Sequence, residues 1–212
     1  MPQINQKPSD IRLYKNEIRN SIKQERREMD KAVKAQLDDS ITKNVRKLYQ
    51  YRSAKTILIY MSTEIEISTV KIIENAWADG KKVAVPRCIP NTRLMEFHYI
   101  ESFDELSAGA FSVLEPSPEA PMVTEFDKCL MILPALSLDY LGYRLGYGKG
   151  YYDRYLSRFI GPCAAICYSH NIRRHMFHGR YDRPVDVIVT EKWIKDASQK
   201  RNRERKNFLN RS

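Results

Sequence analysis

The segment RLGYGKGYYDRYL, residues 144–156, follows the most apolar run of the chain, CLMILPAL at 129–136. The apolar run has the length and composition of a buried strand, and the segment after it alternates glycine with other residues before an aromatic-rich helical pattern begins. Strand, glycine-rich turn and helix in this order are typical of α/β folds, in which ligands bind beyond the carboxyl ends of parallel strands. The segment at 144–156 is therefore the first candidate for a binding site.

Alternating strands and helices are predicted along the rest of the chain. TILIYM (56–61) and KVAVP (82–86) are typical of buried strands, and the helix predicted between them starts at Ser68 and Thr69 and ends at Gly80. A β-α-β unit of this kind implies parallel strands with a right-handed crossover. Further strands are predicted from LMEFHYI (94–100), CAAICYS (163–169) and VDVIVTE (185–191).

Two helices are predicted before the first strand, and they start near Asp10 and Asp30. On the first of them, Lys15, Arg19 and Arg26 recur at spacings that place them on one stripe. We predict a single α/β domain over residues 1–194, with three layers and a mostly parallel, Rossmann-like sheet. The apolar positions expected to be buried are, in the second helix, Val33, Leu37, Ile41, Val45 and Leu48, and in the helix after the first strand, Val70, Ile73 and Trp77.

The net charge of +10 is concentrated toward the C-terminus, because the chain from Glu191 onward contains eight Lys or Arg and three Asp or Glu. We predict a flexible basic tail at 195–212 that promotes solubility. A nucleic-acid-binding arm is the alternative, although no nucleic-acid motif accompanies the tail.

The apolar content excludes a membrane protein, because no run approaches the roughly 18 apolar residues that a spanning helix needs. The N-terminus lacks the apolar core of a signal peptide, and the four cysteines form no CxxC pair. We therefore expect a cytoplasmic protein with reduced thiols. We also expect a monomer that binds neither membrane nor nucleic acid.

The glycine segment has the residue types that bind phosphate. Glycines at 146, 148 and 150 let the backbone approach phosphate oxygens, and Arg144 and Lys149 supply cations just before a helix N-terminus. Asp153, one turn into that helix, could hold a divalent cation. The spacing is neither that of a Walker A loop, since Gly150 follows Lys149, nor that of a dinucleotide-binding fingerprint. On spacing alone, a glycine-rich turn with a solvated lysine remains the alternative.

The same segment closely resembles the signature of the 5-formyltetrahydrofolate cyclo-ligase family, also called 5,10-methenyltetrahydrofolate synthetases. Asn171 is one departure, since the family usually has glutamine at that place. Further segments resemble the family in the same order: KNEIR (15–19), YMSTEIEIST (60–69), VAVPR (83–87), FSVLEP (111–116), LPALSLD (133–139) and DRPVDVIVTE (182–191).

The resemblance implies an enzyme that uses ATP and Mg²⁺ to convert 5-formyltetrahydrofolate to 5,10-methenyltetrahydrofolate, with release of ADP and phosphate. It implies catalytic roles for Arg144 and Lys149. The implied ATP-binding residues are Lys15, Asn16, Glu17, Ile18, Arg19, Arg144, Leu145, Gly146, Tyr147, Gly148, Lys149, Gly150, Tyr151 and Tyr152.

Two further sets follow from the resemblance. The implied magnesium ligands are Asp153 and Asp186, which we expect at the same edge of the sheet. The implied folate-binding residues are Met61, Glu66, Tyr147, Gly148, Lys149, Gly150 and Tyr151.

The alternative function is that of a non-catalytic protein that binds folate or a nucleotide.

Overall fold

The computed structural model describes residues 10–198. Its helices are α1 Ile11–Glu28, α2 Lys31–Lys47, α3 Tyr49–Ser53, α4 Val70–Ala78 and α5 Tyr151–Leu156. Its strands are β1 Thr56–Ile59, β2 Lys82–Cys88, β3 Met95–Ile100, β4 Leu106–Ala108, β5 Leu114–Pro116, β6 Cys129–Pro134, β7 Ser137–Asp139, β8 Arg144–Leu145, β9 Cys163–Ile166, β10 Ile172–Arg173, β11 Val187–Val189 and β12 Ile194–Asp196.

A seven-stranded sheet organises the fold, in the order β12-β11-β9-β6-β1-β2-β3. The five inner strands are parallel, while β3 and β12 pair antiparallel at the two edges. A three-stranded sheet, β10-β7-β8, and the hairpin β4-β5 lie outside it. The predicted α/β fold with a mostly parallel sheet is therefore confirmed.

Alternate residues of the inner strands enter two separate hydrophobic cores, as the two-residue repeat of a strand requires. Ile57 and Ile132 belong to one core, together with residues of α2 and α4. Leu58 and Met131 belong to the other, together with Tyr155 of α5. Helices thus cover both faces of the sheet, which makes the three predicted layers.

The predicted starts of the first two helices are confirmed by their caps. Asp10 Oδ1 accepts hydrogen bonds from the backbone N–H of Arg12, at 2.6 Å, and of Leu13, at 3.3 Å. Asp30 Oδ1 accepts from the N–H groups of the second and third residues after it, at 2.9 and 3.0 Å. These bonds satisfy donors that a helix N-terminus otherwise leaves unpaired.

Two details of the predicted helix faces are wrong. Val33 and Val70 are 48% and 38% exposed, whereas Ile72, Ile73 and Ala76 form the buried face of α4. The Thr69 side chain does not cap α4, because its hydroxyl donates instead to the carbonyl of Tyr60, at 2.8 Å. This bond fixes the rotation of the short helix relative to β1.

The predicted boundary of the domain, at residue 194, is the first residue of β12. Ala197, beyond that strand, is fully buried. Of the predicted tail, residues 199–212 lie outside the described residues, and the division into domain and tail stays a prediction. Between residues 10 and 198, no helix has both the length and the apolar character to cross a membrane.

Asp38 joins α2 to the start of α4 and to the end of β9. Its carboxylate accepts hydrogen bonds from the Tyr168 hydroxyl, at 2.6 Å, and from Ser68 N–H, at 3.1 Å, and forms an ion pair with Lys34, at 2.6 Å. We expect Asp38→Ala to lower the free energy of unfolding by about 3 kcal/mol, since it leaves buried donors unpaired. Tyr168→Phe, which removes one of these bonds, should lower it by about 1.5 kcal/mol.

Equilibrium unfolding in urea, followed by circular dichroism, measures both values. An Asp38→Ala protein no less stable than Tyr168→Phe would show that the carboxylate does not link these elements.

Candidate active site

A cavity of about 550 Å³ opens at the carboxyl ends of β1, β2 and β6. Met61, Cys88 and Pro134 line it from the ends of these three strands. The remaining walls come from α1, from the glycine segment 144–152 and from the turn 110–113. The cavity therefore lies where the position of the glycine segment in the sequence predicted a site.

The glycine segment requires glycine at two positions for different reasons. Gly148 has φ +93°, and a Cβ there would lie 3.1 Å from Cζ of Arg19. Gly150 has φ +76° and immediately precedes α5. The Gly146 carbonyl accepts a hydrogen bond from Arg19 Nε, at 2.8 Å, so that α1 and the segment share one wall. A side chain at Gly148 would therefore block the approach of α1, whereas a Cβ at Gly150 would lie 2.7 Å from Arg154 Nη1.

Helix α1 brings only part of its predicted ATP-binding set to the cavity. Lys15 and Arg19 line it, and Asn16 Oδ1 accepts a hydrogen bond from Arg19 Nη1, at 2.6 Å. Ile18 packs in a hydrophobic core, and Glu17 is exposed and lies outside the cavity lining. Burial lowers the pKa of the Arg19 guanidinium, and the charge of the nearby Asp182 carboxylate opposes that shift.

Two cations in the wall, the partly buried Lys15 and the buried Arg144, each have a carboxylate partner. Lys15 forms an ion pair with Asp182, and Arg144 Nη2 lies 3.0 Å from Asp153 Oδ1. Arg144 is 9% exposed, and its guanidinium also lies 5.4 Å from the ring centre of Tyr152. These pairs orient the two cations and offset part of the cost of desolvating their charges.

Lys149 differs from these two cations because it is exposed. Its Nζ lies 5.3 Å from the centre of the Phe111 ring. Leu145 is buried, and Gly146, Tyr147, Gly148, Gly150, Tyr151 and Tyr152 line the cavity beside Lys149. The structure thus gathers the predicted residues of the glycine segment around one cavity.

The predicted folate-binding residues outside the glycine segment, Met61 and Glu66, line the same cavity. Glu66 is 7% exposed, and its Oε2 accepts hydrogen bonds from Thr63 N–H, at 2.8 Å, and Thr63 Oγ1, at 2.9 Å. The Tyr147 hydroxyl is buried and has no hydrogen-bond partner within the described residues. Burial and the nearby Glu66 charge raise the pKa of Tyr147, so its hydroxyl stays protonated. A buried, unpaired hydroxyl in a cavity wall is suited to a polar ligand.

The structure does not bring the two predicted magnesium ligands together. Asp153 lines the cavity, but Asp186 directly precedes β11, and its Oδ2 accepts a hydrogen bond from Cys163 N–H, at 3.0 Å. Cys163 is the first residue of β9, so Asp186 lies at the amino edge of the sheet, opposite the cavity. The expectation of a shared edge is wrong, because Asp186 comes before its strand rather than after it.

Asp182 is the carboxylate that lies beside Asp153. The backbone N–H of the next residue, Arg183, donates to Asp153 Oδ1, at 3.4 Å, and Asp182 also lines the cavity. Over residues 10–198, no group of three or more His, Cys, Asp or Glu side chains is arranged as a metal site. A metal ion here would need oxygen ligands from a substrate as well as from the protein.

Sequence reasoning missed several residues of the cavity. Lys23 extends the stripe of Lys15 and Arg19 by another four residues, so the helical repeat could have identified it. The predicted third member of the stripe, Arg26, lies outside this cavity and donates to the carbonyl of Ala135, at 2.9 Å. Thr63, Phe111, Glu115 and Asp182 also line the cavity; they lie in segments that resemble the family, but no local pattern assigned them a role.

Residues 12–191 match the 5-formyltetrahydrofolate cyclo-ligase family. The chain belongs to this family. A relative named 5-formyltetrahydrofolate cyclo-ligase in Haemophilus influenzae is 29% identical over 134 residues, which are 62% of this chain and 71% of that protein. The relative named as mitochondrial in Arabidopsis thaliana is 30% identical over 146 residues, which are 62% of this chain and 53% of that protein.

Two solved structures of proteins named 5,10-methenyltetrahydrofolate synthetase share the fold. The NMR structure of the 5,10-methenyltetrahydrofolate synthetase of Aquifex aeolicus superposes with a TM-score of 0.76 and 27% identity, covering 86% of this chain and 92% of that one. The synthetase of Mycoplasma pneumoniae superposes with a TM-score of 0.67 and 25% identity, covering 84% of this chain and 98% of that one. Membership of this family makes the chain an enzyme, as predicted.

Cys88 provides a probe of the cavity wall, because burial and the Glu115 carboxylate raise the pKa of its thiol to about 11. Only the thiolate reacts with iodoacetamide, so we expect alkylation of Cys88 at pH 8 to be roughly a hundredfold slower than that of a free cysteine. The rate should rise about tenfold per pH unit up to about pH 10. Glu115→Gln removes the negative charge, so it should lower this pKa and speed alkylation at pH 8.

Peptide mass spectrometry of samples quenched over time separates Cys88 from the three buried cysteines. A Cys88 rate that levels off near pH 9 would contradict this account of its surroundings.

Proposed function

We propose that this enzyme catalyses the ATP-dependent closure of 5-formyltetrahydrofolate to 5,10-methenyltetrahydrofolate, with release of ADP and phosphate. The family supports the folate substrate. The observation that carries the use of ATP is the glycine segment, whose left-handed Gly148 and Gly150 lead into α5 beside the cations Arg19, Arg144 and Lys149. Such an arrangement suits a triphosphate.

The chemistry explains why two ligands should share one cavity. A formamide carbonyl is a weak electrophile, and loss of its oxygen as hydroxide would be slow. Transfer of the γ-phosphoryl group of ATP to the formyl oxygen gives ADP and a good leaving group. N10 of the folate then attacks the formyl carbon, its proton leaves, and phosphate departs with the former formyl oxygen as the five-membered ring closes.

The cations would act on the phosphates in different ways. Arg144 is held in place by Asp153 and presents a planar guanidinium, which suits bidentate contact with phosphate. Lys15 and Arg19 would bind the nucleotide from α1. Lys149, the exposed cation between two glycines, would stabilise the charge on the phosphoryl group during transfer.

The folate would occupy the opposite wall. Both Thr63 bonds go to Oε2 of Glu66, so Oε1 is the oxygen that would accept hydrogen bonds from the pterin N–H groups. The unpaired Tyr147 hydroxyl would donate to a polar atom of the same ligand. Met61 and Tyr151 would supply apolar and aromatic contact surfaces.

The cavity also suits magnesium bound together with ATP. Mg²⁺ is usually held by one or two carboxylates, waters and substrate phosphates, and bound in this way it neutralises phosphate charge. Asp153 faces the cavity beside the glycine segment, and Asp182 lies next to it. We propose these two carboxylates, in place of the pair Asp153 and Asp186, as the protein's contribution to the site.

A non-catalytic binding protein is less well supported, because Arg144, Lys149 and Asp153 meet around one cavity with Glu66. The monomeric state and the absence of nucleic-acid partners stay predictions. The cytoplasmic location is also a prediction, since one relative is named as mitochondrial.

The experiment that tests this function follows methenyltetrahydrofolate by absorbance and ADP by a coupled assay, with purified protein, 5-formyltetrahydrofolate, ATP and Mg²⁺. We expect one ADP per methenyl product and no product without ATP. Asp153→Asn should lower turnover by about 10²-fold, since a neutral amide cannot balance a divalent cation.

Asp186→Asn is the matched control for Asp153→Asn. An amide oxygen can still accept the Cys163 N–H bond, so this variant should keep its turnover at limiting Mg²⁺. Product absent under all conditions would refute the function. Equal losses in the two variants would instead refute our assignment of the magnesium site.

A further inference from the structure

Phe111 combines three features that the fold does not explain. Its backbone has φ +59°, in the left-handed region that is unfavourable for a large side chain, and 60% of the residue is exposed. It also lines the cavity next to Lys149 and Tyr151 of the glycine segment. Single exposed apolar residues are ordinary, but an exposed aromatic residue on a left-handed backbone gains no burial to offset its conformational cost.

Hydrogen bonds at the base of the β4-β5 hairpin fix the place of the turn that carries Phe111. Glu115 is 6% exposed, and its Oε1 accepts a hydrogen bond from Cys88 N–H, at 3.2 Å. Arg87 Nη1 donates to the carbonyl of Pro116, at 2.7 Å, which ties β5 to β2. Gly109 N–H donates to the carbonyl of Val113, at 2.8 Å, and closes the turn that carries Phe111. With its base fixed in this way, the turn holds the ring over the glycine segment.

In the glycine segment, the Phe111 ring has one aromatic neighbour and one cationic neighbour. The ring of Tyr151 lies edge-on to it, with 6.1 Å between centroids, and Lys149 Nζ lies 5.3 Å from its centre. Lys149 stands between two glycines with positive φ, so its own backbone restrains it little. Within residues 10–198 the Lys149 ammonium takes part in none of the ion pairs, and the Phe111 ring is its aromatic neighbour.

We propose that Phe111 is a positioning residue that holds the Lys149 ammonium over the cavity through a cation–π contact. This inference rests on the proposed function, in which Lys149 stabilises the transferring phosphoryl group. The contact is electrostatic and needs a π face, yet it leaves the three N–H donors of the ammonium free for phosphate oxygens. A carboxylate partner would instead compete with the phosphate for the same charge.

Phe111→Leu tests the contact, because leucine keeps an apolar side chain and the same strained backbone position but has no π face. We expect kcat to fall about tenfold, as loss of a cation–π contact permits, with little change in KM for 5-formyltetrahydrofolate. Phe111→Tyr keeps the π face and should retain most of the turnover.

Lys149→Met tests whether Phe111 affects kcat through Lys149. We expect this variant to lose about 10²-fold in kcat, and adding Phe111→Leu to it should lower kcat by less than twofold further. A loss of about tenfold in both backgrounds would overturn the inference, because Phe111 would then act independently of Lys149. Equal kcat values for the leucine and tyrosine variants would overturn it as well.

A second readout does not depend on turnover. Lysine protons over an aromatic ring are shifted upfield in NMR spectra, and the Lys149 signals are those missing from Lys149→Met. We expect an upfield shift of the Lys149 side chain in the unliganded protein, and its loss in Phe111→Leu. No such shift in the wild-type protein would refute the contact even if the enzyme is active. A shift without any methenyl product would refute the proposed function and leave the contact established.

Discussion

The hydrogen bond from Arg19 Nε to the Gly146 carbonyl is the contact on which the candidate active site depends. It exists because Gly148 leaves room for the guanidinium, 3.1 Å from where a Cβ would lie. Behind it, Ile18 and Ile22 pack against Leu145, so that a small hydrophobic core presses α1 onto the glycine segment. Without this docking, the cations of α1 would lie on a solvated helix. With it, they form one wall of an enclosed cavity.

A cavity lined by several cations must also be stable when it is empty. Here the partly buried Lys15 is paired with Asp182, and the buried Arg144 with Asp153, so neither cation is left uncompensated. On binding, the phosphates could replace the two carboxylates as partners of Lys15 and Arg144, while the metal ion could replace the two cations as partner of the carboxylates. The total number of charge-assisted contacts would then change little. Lys149 is arranged differently, since an aromatic ring holds it without occupying its donors. That arrangement suits a cation whose contacts should strengthen only as the phosphoryl group moves.

Much of the fold was predictable because its inner strands are short, apolar and separated by clear helix signals. The edge strand β12 was missed, since Ile194, Lys195 and Asp196 have no apolar repeat and join the sheet only by pairing with β11. The place of the glycine segment beside a cavity was predictable from its position after β6, whereas its local chemistry alone left a plain glycine-rich turn as the alternative. The mistaken pairing of Asp153 with Asp186 could have been avoided, because a residue directly before a parallel strand lies at the amino edge. Phe111 lies in a segment that resembles the family, but its place beside Lys149 could not have been predicted, because it results from a hairpin fixed by contacts distant in the sequence.

The central claim is that the cavity holds ATP and the folate together, so that the formyl oxygen receives the γ-phosphoryl group. The most direct test uses 5-formyltetrahydrofolate with ¹⁸O in the formyl group, converted with unlabelled ATP in unlabelled water. Mass spectrometry then measures the isotope content of the released phosphate. The account predicts one ¹⁸O atom in each phosphate that accompanies a methenyl product. Unlabelled phosphate, with the ¹⁸O recovered in water, would contradict it.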